Sequence, residues 1–362
     1  MASTKRAVKK TAAPAKSSTL KAADAVPARP FNVVSIDGGT AGLLSVLMLQ
    51  AIEQQVPGFL ASVDLFAGTS SGGITSLILA TQEDPALALD KCVYVWSNPQ
   101  IFNHNSIFGY LKGLCGVAAI NATRYAKNFF ARPDILGDLR LGDLKKKVVV
   151  VSFRVNQGPS TMPPTLAAAW GPKIYGNFSP ADPDYHALAV DAAVSTSAAP
   201  VFAPIYHGHV DGGVTANNPT MCAIAAVVRN ARASGVVPEE LRQGDLRQIR
   251  VLSLGGGKGR KTPFVYDANW GYLAWLFNPK DPLLVVAELM RGSTEAVSYQ
   301  AGHLLPPHAF FRLDPRYVGD SQVPFSQSSA AGQQKEALNP ATMALVDQAV
   351  AWIKEGGWTG AA

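Results

Sequence analysis

Cysteine, charge and long apolar runs are all scarce in this chain, and each scarcity removes a class of function. Cys92, Cys115 and Cys222 are scattered through 362 residues. They have neither Cys-x-x-Cys nor histidine-partner spacing, which excludes a disulfide framework and a cysteine-based metal site and fits a reducing compartment. No metal and no cofactor is expected. No stretch approaches the roughly 18 consecutive apolar residues of a membrane span, and the basic N-terminus lacks the apolar centre of a secretion signal. The expectation is a soluble, cytoplasmic protein. No internal repeat is visible.

Charged residues make up only 16% of the chain, and the net charge of +6 has an address. Lys5, Arg6, Lys9, Lys10, Lys16, Lys21 and Arg29 stand against Asp24 alone in residues 1–30, so the remaining residues balance. Rich in Ala, Lys, Ser, Thr and Pro, this tail cannot bury a core and is expected to be disordered. Near an anionic leaflet each basic residue contributes about 1 kcal/mol. Peripheral membrane contact would suit the tail, and nucleic acid or solubility would explain it equally well. No specific nucleic acid is predicted, and the oligomeric state is left open.

What is abundant is apolar residue content, 48%, enough for a sizeable core in one large α/β domain over residues 31–362. Within it, Gly68-Thr69-Ser70-Ser71-Gly72 follows the apolar run from Val63 to Ala67 and precedes a helix-like run from Ile74 to Ala80. A strand that reverses sharply into a helix has no room for a Cβ beside the turn, so Gly68 and Gly72 flank the exposed central serine. The helix N-terminus offers free N–H groups to a developing oxyanion. With 32 glycines in the chain the pentapeptide can arise by chance, and it is the flanking strand and helix that make it a nucleophile elbow.

Two further segments bear on the chemistry. Phe31 to Ile36 reads as a buried strand running into Asp37-Gly38-Gly39-Thr40-Ala41-Gly42, and Leu44, Leu47, Met48, Ala51 and Ile52 then keep helical spacing. Such a loop suits an oxyanion hole or a phosphate cradle. Its glycine spacing is not that of a dinucleotide fingerprint. Downstream, His209-Val210-Asp211-Gly212-Gly213 ends a short strand on an acidic residue. From that segment alone a turn aspartate is the simpler reading.

In their order and spacing the three segments resemble the patatin-like phospholipase family of lipid acyl hydrolases. The resemblance extends to Ser195-Thr196-Ser197-Ala198-Ala199-Pro200 and to Val251 through Gly257, so it covers about residues 31–257. It implies a three-layer sandwich with a central, mostly parallel sheet flanked by helices. It also implies Ser70 as nucleophile, Asp211 as its base without a histidine, Gly38 and Gly39 as oxyanion donors, and Gly212 and Gly213 as the Asp-Gly-Gly motif. The substrate implied is a phospholipid or another acyl lipid. The loop departs from the family pattern: after Gly38-Gly39 come Thr40-Ala41-Gly42, one residue short and without a basic side chain.

Alternatives stay open. A Ser-His-Asp esterase would draw on His303 or His308, both beside Leu304-Leu305-Pro306-Pro307 and expected to be solvated or capped. His207 and His209 are expected to pack beside Asp211. A lipid- or protein-binding module on the same fold would have a loop that no longer catalyses. Two apolar stretches, Ile107 to Ile120 and Trp270 to Val286, could meet a membrane interface, and core packing is the preferred reading of each. Residues 314–340 read as loop before a final helix from Pro340 to Lys354.

Overall fold

The computed structural model describes residues 29–98, 123–155, 170–233, 245–258, 267, 269–276, 284–316, 330–356 and 358. Residues 1–28 of the basic tail, the apolar stretch 107–120, Cys115, Phe277 and Leu283 lie outside the described residues.

Seven strands form one sheet: β1 (Phe31–Ile36), β2 (Leu65–Thr69), β3 (Lys147–Arg154), β4 (Gly171–Gly176), β5 (His209–Asp211), β6 (Ile249–Leu254) and β7 (Phe310–Leu313). Their order is β4-β3-β2-β1-β6-β7, with β5 paired to β3. The pairs β1–β2, β1–β6, β2–β3 and β6–β7 are parallel, while β3 takes β4 and β5 antiparallel. The central strands β1, β2, β3 and β6 bury both faces, which is why they read as near-continuous apolar runs rather than as alternating ones.

Helices cover each face: α1 (Gly42–Gln55), α2 (Ser71–Leu79), α3 (Ala189–Thr196), α4 (Thr220–Ala233), α5 (Leu284–Leu304), α6 (Ala330–Ala337) and α7 (Pro340–Glu355). The period-two alternation of strand side chains divides the core. Val34, Ile36, Phe66, Val148 and Val150 pack with Leu44, Leu49, Ile74 and Ile353 on one side. Val33, Leu65, Ala67 and Val149 pack with Ala223, Ile224, Val227 and Ala301 on the other. The result is the expected three layers, helices on both faces of a mostly parallel sheet.

Two expectations change. Residues 314–340 are not all loop, because α6 occupies Ala330–Ala337. Its sequence is alanine with polar residues and has no apolar stripe, so periodicity could not find it. The Trp270 stretch divides in its described part: Leu284 is buried, as the core reading expects, whereas Trp275 and Val286 are exposed, Trp275 meeting Trp270 edge to face with centroids 5.6 Å apart. A five-residue helix, Tyr272–Leu276, is too short to offer a full buried face. Among the described residues no helix is long and apolar enough to cross a membrane.

Candidate active site

Strand register brings the site together. Thr69 at the end of β2 is partnered with Val151 of β3, and Asp211 of β5 is partnered with the next residue, Ser152. Because β4 occupies the other edge of β3, β5 continues the edge that β2 leaves. The chain departs from that edge at Ser70, and Asp211 arrives there. Two residues far apart in sequence are thus brought to adjacent positions along β3.

At the elbow, Ser70 takes φ +53° and ψ −118°, a conformation that L side chains rarely adopt and that costs about 1–3 kcal/mol. The surrounding backbone enforces it. A Cβ on Gly68 would lie 2.1 Å from the Gly72 carbonyl oxygen, and one on Gly72 would lie 2.1 Å from the Ile36 carbonyl oxygen. We therefore expect Gly72→Ala to lose more than the roughly 1–3 kcal/mol of ordinary overpacking, since backbone must move. Urea denaturation would register this as a lower midpoint at unchanged slope. The Ser70 N–H donates to Thr196 Oγ1 at 2.8 Å, and the Thr196 hydroxyl in turn donates to the Val151 carbonyl. Thr196 thus fastens the elbow to the middle of the sheet.

Asp211 is only 4% exposed. The Gly213 N–H donates to its Oδ1 at 2.7 Å, and the Gly212 N–H goes to the Thr196 carbonyl at 3.2 Å. Burial pushes the Asp211 carboxyl from 3.8 up to about 6, against the downward pull of hydrogen bonds from the Ser70 side chain and the Gly213 amide. A carboxylate held in this way is a much better proton acceptor than a solvated one.

The glycine loop lies directly over the serine. A Cβ on Gly38 would come 3.1 Å from Ser70 Cβ and 2.6 Å from Asn217 Oδ1. The Gly38 N–H, however, is committed to the Asn217 carbonyl at 3.0 Å. That bond stitches the glycine loop to the Asp-Gly-Gly loop. Gly39, at φ +141°, donates to no acceptor among the described residues. Two side chains from distant elements brace the loop. Gln333 of α6 donates from Nε2 to the Thr40 carbonyl at 3.1 Å and accepts from the Leu44 N–H at 3.0 Å. Arg312 of β7 grips Asp37 through Nη1–Oδ1 at 2.9 Å and Nη2–Oδ2 at 2.5 Å.

The histidines stand apart from this centre. His303 and His308 both precede β7, so they lie toward the end of the sheet where the parallel strands begin, whereas Ser70 follows the end of β2. His303 is exposed, its Nδ1 2.8 Å from the Tyr299 carbonyl oxygen. His308 is exposed as well. His209 packs beside Tyr175 with centroids 6.0 Å apart, and burial lowers its pKa. His207 lies against Tyr206 at 4.2 Å. The described residues contain no His, Cys, Asp and Glu cluster able to hold a metal.

Thr196, Asn217, Arg312 and Gln333 carried no assigned role from sequence. Only Thr196 and Asn217 had a usable signal, since both lie in segments beside the acidic motif.

Ser70 thus sits on a strained elbow at the carboxyl edge of a mostly parallel sheet, facing a glycine loop and a buried aspartate, a layout similar to the nucleophile elbow of α/β hydrolases. The sequence defines the family. The patatin-like phospholipase model matches residues 38–224, more than half of the chain, and the chain belongs to that family of lipid hydrolases. CotR of Bacillus subtilis (strain 168) is 28% identical over 324 residues, covering 81% of this chain and 89% of CotR. Patatin-like protein 1 of Oryza sativa subsp. indica is 29% identical over 315 residues, covering 76% of this chain and 70% of the relative. The crystal structure of VipD from Legionella pneumophila aligns with a TM-score of 0.40 at 12% identity, over 89% of this chain and 67% of VipD, a likeness too remote to carry an argument.

Proposed function

We propose that this lipid hydrolase cleaves fatty-acyl esters of phospholipids or related acyl lipids through an acyl-enzyme, with Ser70 as nucleophile and Asp211 as its base. The observation that carries the reading is the pair of adjacent β3 residues, Val151 and Ser152, beside which β2 ends at the elbow and β5 delivers a buried carboxylate. The Ser70 hydroxyl attacks the ester carbonyl as its proton passes to Asp211, forming a tetrahedral oxyanion. Collapse expels the alcohol, which takes the proton back. Water then attacks the acyl-enzyme with Asp211 again accepting a proton, and the second collapse breaks the bond to Ser70 Oγ, which takes that proton back as the free fatty acid leaves.

The oxyanion role falls to the Gly39 N–H, backed by the first amides of α2 and its dipole. With Gly38 engaged elsewhere, stabilisation rests on few donors, and one such donor is worth about 2.7–4 kcal/mol of barrier. The residues 1–30 would add peripheral attraction to an anionic leaflet.

Incubation with a fluorophosphonate, followed by peptide mass mapping, tests the reading. The expected result is one adduct, on Ser70. A folded wild-type chain that refuses the probe and releases no fatty acid from mixed phospholipid vesicles would overturn it in favour of a binding module on the same fold.

A further inference from the structure

The loop from Asp37 to Gly42 contains no basic residue of its own, yet its first residue is held by a part-buried arginine from the far end of the chain. Asp37 is 5% exposed. Its two carboxylate oxygens meet the two Nη atoms of Arg312 in a fork, and Arg312 Nη1 also donates to Ser253 Oγ at 2.8 Å. Asp314 accepts from Arg312 Nη2 at 3.2 Å and from the Gly257 N–H at 3.0 Å. The carboxyl ends of β1, β6 and β7 are thereby tied at one point. Burial works against the Arg312 charge, and the carboxylates of Asp37 and Asp314 outweigh it and push its pKa up.

The tether has a direction. The Asp37 N–H is bonded to the Leu254 carbonyl at 2.9 Å, and the Asp37 carbonyl oxygen lies 2.6 Å from where a Gly72 Cβ would stand. Asp37 therefore touches the elbow helix on one side and continues into Gly38 and Gly39 on the other. We infer that Arg312 is a positioning residue: its fork on Asp37 fixes the glycine loop over Ser70 and so sets the alignment of the oxyanion donor. A fork fixes orientation where a point charge such as lysine does not. This role deepens the reading of the same site and rests on it for its kinetic consequence, though not for its structural one.

The test compares wild type with Asp37→Asn/Arg312→Met, which removes the buried charge together with its partner and so avoids the uncompensated carboxylate of Arg312→Met alone. Arg312→Lys is the second variant, keeping charge without the fork. Thermal melts establish folding, and hydrogen exchange over the peptide spanning 37–43 reads the loop. The expected result is exchange about tenfold faster or more at that peptide, with α7 unchanged. For p-nitrophenyl butyrate hydrolysis, kcat should fall about tenfold or more while KM stays within about twofold. Arg312→Lys should lie between the double variant and wild type. If the double variant does not fold, Arg312→Lys decides alone. Wild-type loop exchange and wild-type kcat in a folded variant lacking the fork would overturn the inference. A wild-type enzyme without esterase activity would sink the catalytic reading, and loop exchange would still decide the tether.

Discussion

Ser70→Ala lowers ester hydrolysis by on the order of 10⁴-fold or more and abolishes fluorophosphonate capture, with the fold intact. The size follows from covalent catalysis: without the hydroxyl no acyl-enzyme forms, and only binding and oxyanion stabilisation remain. The strained backbone supplies a second readout. At φ +53° and ψ −118° alanine keeps the strain, whereas Ser70→Gly relieves it, so Ser70→Gly should be more stable than Ser70→Ala by about 1 kcal/mol or more. Chemical denaturation of the pair measures that difference. Equal stability would mean that the elbow stores no strain, and surviving hydrolysis in either variant would move the nucleophile elsewhere.

Asp211→Asn stops turnover and at the same time stabilises the protein at neutral pH. In the folded chain burial raises this carboxyl from 3.8 to about 6, so the folded state binds the proton more tightly than the unfolded one does. Stability from this group is therefore fully present below about pH 4 and is lost as pH rises through about 6. The neutral amide escapes that loss, a gain on the order of 3 kcal/mol at pH 7. Below about pH 4 the variant and the wild type should converge. Activity runs the other way, because the base must be ionised: wild-type kcat/KM should climb as pH rises through about 6. Denaturation midpoints at acid and neutral pH, together with a pH–rate profile, check both signs. A variant that loses activity without gaining stability at neutral pH would assign Asp211 a structural part.

Much of this site was legible in the sequence because steric necessity leaves a local trace. The buried run Phe31 to Ile36 is β1 residue for residue, and Gly68 and Gly72 could be read because no other residue fits an elbow so close to neighbouring backbone. The final helix was predicted to within one residue of its observed end, since Asn339 caps it and Pro340 opens it. The glycines around Asp37 announced an anion-friendly loop, but spacing cannot tell which N–H faces outward, and Gly38 turned out to face Asn217. Arg312 and Gln333 were invisible for a different reason. Each acts across more than 270 residues of sequence through a single side chain, and a lone polar residue in a strand or an alanine-rich helix carries no pattern that names its partner.

Since Ser70 and Asp211 are aligned by hydrogen-bonding ladders on a common neighbour, nothing about their meeting depends on the length of chain between them. Insertions or deletions in the connecting segments leave the geometry alone so long as β5 keeps its pairing. The vulnerable dimension is sliding: β5 has three residues, and a slip of one would turn Asp211 to the opposite face of the sheet.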